Sequence, residues 1–237
     1  KVWIIDMGVS AGPDLIQDGL VYCFDAFSKN CYPGSGTTTT DLTNEIGGTL
    51  NNTPTFNSDG YFTFDGTAAE TISTTLPSYP TTNWSLCAWA KHADGNSASE
   101  WDGVAMWSNS QKRQGISIAG GTYNSIAYPW TVFYGETKYR YSYVSVGTDW
   151  THVAMTYDGS TVIFYVNGTS VTLDSQRSAA AGPSDDDFKI ASCNDGSAPS
   201  SHTWDGSIGP VHVYHSKILS QEEINQNFNS QRTRFGV

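Results

Sequence analysis

Apolar side chains along this chain come in short runs with a period of two. From Trp84 to Ala90 they alternate: Trp84, Leu86, Ala88 and Ala90 point one way, and Ser85, Cys87 and Trp89 the other. Trp150 to Tyr157 is a second strand, closed by Asp158-Gly159. Thr161 to Val166 runs into Asn167-Gly168 and on into Thr169 to Leu173. That Asn-Gly predicts a hairpin with a type I′ turn, which needs positive φ at both central residues. Turn signals recur roughly every ten residues between β-branched and aromatic segments, the pattern of a sandwich or barrel of many short strands. The period changes once. Ser220-Gln221-Glu222-Glu223 is a capping box. Ile224 and Phe228 then follow at helical spacing, so a helix of roughly two to three turns is expected. It should plug one end of the sandwich.

Loops are expected at Gly34 to Thr40, Asn51 to Thr55 and Ala179 to Asp187. None is long or biased enough for an interdomain linker. The parse is one domain over 14–237 preceded by a short arm over 1–13. Composition narrows the class. Of 237 residues only 15% are charged while 13% are aromatic, which excludes disorder and a helical bundle. A net charge of -11 repels phosphate backbones, so neither nucleic acid nor an anionic membrane is an expected partner. No apolar stretch approaches the ~18 residues of a membrane span. Val2, Trp3, Ile4 and Ile5 are too few for a signal-peptide core, and Asp6 interrupts them.

The chemistry available is limited. Cys23, Cys31, Cys87 and Cys193 contain no Cys-x-x-Cys pair, so zinc has no support. Free buried thiols are expected, with a local Cys23–Cys31 bridge as the alternative. Glycoside cleavage needs two carboxylates roughly 5 to 10 Å apart. The glutamates (Glu45, Glu70, Glu100, Glu136, Glu222, Glu223) are scattered or helical, and no Glu-x-Asp-x-Glu run exists. Nothing forms a nucleophile elbow. His152 reads as a half-buried structural residue, and His212 and His215 face opposite sides of one strand, a poor metal pair. No enzyme activity, cofactor or metal site is expected; calcium stays open only at Asp185-Asp186-Asp187.

A set of short motifs carries a resemblance. Asp18-Gly19-Leu20-Val21, Asp25-Ala26, Tyr32 to Thr38 and Asp41-Leu42 open it. Phe64-Asp65-Gly66, Trp84 to Lys91, Trp150-Thr151-His152-Val153-Ala154, Tyr157-Asp158-Gly159 and Tyr165-Val166-Asn167-Gly168 continue it. Asp205-Gly206-Ser207-Ile208-Gly209, Val213-Tyr214 and Leu219-Ser220 with Glu223-Ile224 close it. In this order they resemble the laminin-G-like, concanavalin A-like jelly-roll domains over nearly the whole chain. The resemblance implies an all-β jelly-roll β-sandwich with one short C-terminal helix. Ala68-Ala69-Glu70 and Gly209-Pro210 replace acids common in relatives, so a family-type calcium site is not implied. Gly12-Pro13, Tyr32 to Thr38 and Gln226 to Val237 are similar to tailed-phage structural proteins. That similarity implies a non-enzymatic virion protein on the particle surface, with head decoration favoured over a tail or fibre component. A free-standing carbohydrate-binding lectin module is the alternative.

Those expectations assign residues. Aromatic rings stack on apolar sugar faces, and Trp101, Trp107, Tyr128 and Trp130, with Asp102 and Asn109, are the glycan-contact candidates. Trp89 and Trp150 are expected between the two sheets. Val2, Trp3, Ile4 and Ile5 are the virion-attachment candidates, able to add a strand to another chain's sheet edge. Partners are then other virion proteins of capsid or tail and host-surface glycans; a homo-oligomer stays open.

Overall fold

The structure is a computed structural model that describes residues 13–66, 70–76, 81–95, 102–109, 112–135, 138–178, 187–192 and 202–237. Among these residues two large antiparallel sheets face each other. The eight-stranded sheet runs in the order β16 (Thr169–Val171), β15 (Val162–Val166), β14 (Thr151–Tyr157), β7 (Trp84–His92), β19 (Asp205–His215), β5 (Tyr61–Asp65) and β4 (Thr55–Asn57), with β1 (Leu20–Phe24) also paired to β19. The nine-stranded sheet runs β17 (Arg177–Ser178), β13 (Lys138–Ser145), β12 (Pro129–Tyr134), β9 (Lys112–Ile118), β8 (Gly103–Asn109), β18 (Asp187–Ile190), β6 (Thr71–Thr75), β3 (Gly47–Asn51) and β2 (Thr38–Thr40). A two-stranded ribbon, β10 (Thr122–Tyr123) with β11 (Ile126–Ala127), stands beside it.

The expected alternation of β7 is observed. Trp84, Leu86, Ala88 and Ala90 enter the core between the sheets. There Trp84 meets Trp107 edge to face at 5.6 Å, Trp107 meets Phe188 at 4.8 Å, and Trp130 stacks on Trp204 at 6.2 Å. The opposite side chains Ser85, Cys87 and Trp89 are equally buried, yet they point away from that core. The expectation that Trp89 fills the space between the sheets is therefore corrected. What covers it is the C-terminal helix α1 (Gln221–Phe235). The helix is 15 residues, about four turns rather than two or three. It lies across the outer face of the eight-stranded sheet instead of plugging an end.

The helix begins as expected. Ser220 accepts from Glu223 N, Glu223 reaches back to Ser220 N, and Gly236 closes the far end in the left-handed conformation. Ile224 packs with Cys87, Ala154, Tyr165 and Tyr214. Phe228 and Phe235 stack on Trp89 at 5.8 and 4.4 Å, while the Trp89 indole N–H donates to Gln231 Oε1 at 3.0 Å. Two polar anchors fix the register. Asn227, fully buried, donates to the Tyr214 hydroxyl at 3.0 Å and accepts from Ile16 N at 3.0 Å. Arg234 grips both carboxylate oxygens of Asp25, at 2.8 and 2.9 Å, and donates to the carbonyls of Asp59 and Gly60. The hairpin turn joins the same interface. Asn167 and Gly168 both have positive φ, and a Cβ on Gly168 would collide with Asn225 and Phe228 of the helix.

Asp41, from the opening motif, is a structural hub. Its carboxylate accepts from the backbone N–H groups of Cys23, Thr43, Asn44 and Ile46. Cys23, Cys31 and Cys87 are free and buried, and burial pushes each thiol up to about 12. The local Cys23–Cys31 bridge is absent; Cys193 lies outside the described residues. So do Val2, Trp3, Ile4 and Ile5, and Asp185 and Asp186.

Because Trp89 links sheet and helix, Trp89→Ala should cost about 3–5 kcal/mol in chemical denaturation. A loss under about 1 kcal/mol would mean the helix is anchored elsewhere.

The two histidines of this interface give a second prediction. His152 and His212 are fully buried, and His152 is flanked by the rings of Trp89 and Phe228. Burial holds both down to about 3; His212 adds to the effect on His152, and Arg234 to that on His212. Cys23 and Cys87 are His212's cross-strand neighbours, and Asp25 faces it across Arg234. In the unfolded chain both imidazoles titrate near 6.5. Below that pH the unfolded chain binds two protons that the folded chain refuses, so stability is flat above pH 7 and falls on acidification. Between pH 7.5 and 5.5 the unfolding free energy should drop by about 2–3 kcal/mol, and a His152→Phe/His212→Val variant should flatten the profile.

Candidate functional site

Five strand termini of the two sheets converge with the end of the helix on one cleft of about 630 Å³. Its wall is Trp150, the residue just before β14, together with Phe235, Gly236 and Val237. Val144, Val166 and Trp130 add further apolar lining. Lys91, Ser145, Asp149, Thr151 and Asn167 add polar groups. Rings and aliphatic side chains thus share the lining with nearly as many polar groups, so the cleft can meet both apolar faces and hydroxyls of a small ligand.

Trp150 is held by other rings. Tyr61 meets it edge to face at 5.1 Å and Phe235 lies tilted against it at 4.6 Å. It is half-buried, outside the core between the sheets, which corrects the expectation for this residue. The turn beside it is equally fixed. His152 N donates to Asn167 Oδ1 at 2.9 Å, Asn167 N donates to His152 O at 2.8 Å, and Thr151 Oγ1 donates to Asp149 O at 3.1 Å. The cleft is thus preformed by the hairpin, the β14 start and the helix end.

The residues expected to touch glycan do not gather into one exposed patch. Trp107 is wholly inside the core against Trp84 and Phe188, so it offers no ring face. Trp130 is buried and stacks on Trp204 from β12, and it also lines the cleft. Asp102 is buried with His92, whose Nε2 lies 3.4 Å from it, while Asp94 lies 3.0 Å from His92 Nδ1. Tyr128 is half-buried at positive φ, and its carbonyl accepts from Val146 N. Asn109 ends β8 opposite Lys112, and Trp101 lies outside the described residues.

Acidic side chains meet elsewhere, around His92. Asp205 pairs with Asp65 across β19 and β5 and is raised by burial, with Asp94, Asp102 and Asp65 adding to the shift against His92. Glu70 accepts from Asp65 N at 2.8 Å and is raised by burial. Among the described residues no group of three or more His, Cys, Asp or Glu side chains is arranged to hold a metal ion.

Comparison with known proteins decides the family. The sequence pattern of the concanavalin A-like lectin/glucanases superfamily matches residues 64–225. The chain belongs to that superfamily. No curated protein sequence matches it. Among solved structures, Trypanosoma rangeli sialidase in complex with 2,3-difluorosialic acid superposes with a TM-score of 0.61 at 16% identity, over 91% of this chain and 33% of that one. Domain 4 of an extracellular arabinanase from Geobacillus stearothermophilus, in complex with arabinotriose, superposes with a TM-score of 0.61 at 14% identity, over 89% of this chain and 98% of that domain. The chain thus spans about a third of the sialidase and nearly all of the arabinanase domain. At these identities the likeness is one of fold: a lectin-like β-sandwich whose structural neighbours hold sugars.

Proposed function

We propose that this chain is a non-enzymatic carbohydrate-binding domain displayed on a bacteriophage particle, with the Trp150 cleft as its glycan site. One observation carries the binding half. A half-buried tryptophan, fixed by Tyr61 and Phe235, stands beside Lys91, Asp149 and Asn167 in a preformed cleft. Sugars present apolar faces to such a ring and hydroxyls to such neighbours. The superfamily and the arabinotriose-bound neighbour support the same reading. Hydrolysis would need a carboxylate pair, and the described lining of the cleft offers one acidic side chain, Asp149.

The virion half rests on the similarity of both chain ends to tailed-phage structural proteins. In this reading the arm with Val2, Trp3, Ile4 and Ile5 attaches the domain to other virion proteins, and head decoration is preferred over a tail or fibre position. A carbohydrate-binding lectin module with the same cleft, acting independently of any virion, is the second reading, and the near-complete coverage of the arabinanase domain supports a self-contained module.

On a glycan array Trp150→Ala should lose at least about tenfold in affinity, about 1.4 kcal/mol, under conditions where a lowered but still cooperative melt shows the variant folded. Unchanged binding would move the site elsewhere. Mass spectrometry of purified particles should find the chain, and deleting 1–10 should release it without altering its unfolding; a chain absent from particles leaves the free-standing lectin.

A further inference from the structure

The helix leaves one part of the outer face of the eight-stranded sheet uncovered. Phe235, in its last turn, stacks on Trp89 and seats against Gly209, where a Cβ would come within 2.9 Å of the ring. Gly236 then ends the helix. The next row of outward side chains follows from register. Thr151 pairs with Ala90, which brings Trp150, one residue earlier, opposite Lys91. Lys91 pairs with Ser207, Ser207 with Thr63, and Thr63 with Thr55. Their strand neighbours Ala90, Ile208, Phe62 and Phe64 enter the core between the sheets, so this row faces outward. Lys91, Thr63 and Thr55 are exposed, and Trp150 and Ser207 are half-buried. Adjacent strands lie about 4.8 Å apart, so the row from β14 to β4 is about 19 Å long.

The row offers hydrogen-bonding groups in sequence. The Ser207 and Thr63 hydroxyls lie 2.9 Å apart. Two hydroxyls that share one bond keep a proton to donate and lone pairs to accept. Lys91 belongs to the cleft lining and adds ammonium donors there, and Thr55 adds a hydroxyl at the far end. Rings run alongside. Trp150 precedes β14 and Tyr61 lies on β5, three strands along, yet their rings meet at 5.1 Å. The pair thus bridges β7 and β19, and Phe235 backs it from the helix, 4.6 Å from Trp150. On the other side of the row Asp205 pairs with Asp65. Those carboxylates accept from sugar hydroxyls and repel polyanions.

We propose that the Trp150 cleft is one end of a groove that holds an internal stretch of a neutral, linear polysaccharide, laid across β7, β19, β5 and β4 along Lys91, Ser207, Thr63 and Thr55. The groove rests on the cleft being a glycan site and adds the class of ligand: a chain bound through several consecutive sugars rather than one terminal sugar. Rings on one side take the apolar sugar faces, and the row takes the hydroxyls.

Affinity electrophoresis of the full chain tests it, with debranched arabinan, galactan, mannan and mixed-linkage glucan as neutral polymers and polygalacturonate as the acidic one. Retardation is expected with at least one neutral polymer and not with polygalacturonate. Calorimetry with oligosaccharides cut from the retarding polymer should then show affinity rising at least about tenfold from the disaccharide to the hexasaccharide. Thr63→Val/Ser207→Ala should weaken the hexasaccharide several-fold and leave the disaccharide unchanged. Should that variant unfold, Thr55→Ala, on the exposed edge strand, should still weaken the hexasaccharide alone. Binding that a folded Trp150→Ala loses, but that gains nothing with length, would overturn the groove and leave the cleft. Binding that Trp150→Ala leaves intact would overturn both. Retardation by none of the polymers, retardation by polygalacturonate alone, or folded row variants that bind the hexasaccharide unchanged would also overturn the proposal.

Discussion

The eight-stranded sheet is apolar on both faces, and most of the architecture follows from covering it twice. Every residue of β7 except Lys91 is buried, although the two sets of side chains point in opposite directions. One set meets the nine-stranded sheet. The other, with Trp89 at its centre, would leave a large apolar surface in water if nothing lay over it. The C-terminal helix supplies that cover, so the domain has three layers where a plain sandwich has two. An uncovered Trp89 face would also strand Cys87, Ala154 and Tyr214, which share the second apolar cluster with Ile224.

The helix is amphipathic by only a narrow margin, and its buried face is partly polar. Asn227, Gln231 and Arg234 each find a partner in the sheet or its loops. Those bonds select a single register, because a shift of one residue would bury an unpaired amide or guanidinium. Register in turn sets the cleft. Phe235 must arrive against Trp150, and Gly236 turns the chain at the rim, for the wall to exist at all. The candidate binding site is therefore a product of the third layer.

Much of the fold is legible in sequence. The β7 alternation, the Asn167-Gly168 hairpin and the Ser220 capping box each rest on local chemistry, and each appears where that chemistry puts it. What period-two reading cannot supply is which face meets which layer. Trp89 sits on the face opposite Trp84 in either account, yet nothing within the strand says that a distant helix returns to cover it. The lining of the candidate cleft is not legible in sequence for the same reason. Trp107 and Trp130 have polar sequence neighbours but point into the core, whereas Trp150 stands at a strand start where the sheet ends and solvent begins. Its partners Tyr61 and Phe235 are 89 and 85 residues away in the chain.

If the sheet's second face is what demands the helix, helix and sheet must unfold together. Native-state amide hydrogen exchange resolves this residue by residue. The account predicts that the slowest amides of 221–235 open with free energies within about 1 kcal/mol of those in β7, because exposing Trp89 and Asn227 would dismantle the sheet's own packing. Helix amides exchanging through a separate opening several kcal/mol below that of β7 would contradict it, and would make the helix an accessory to a sandwich that stands alone.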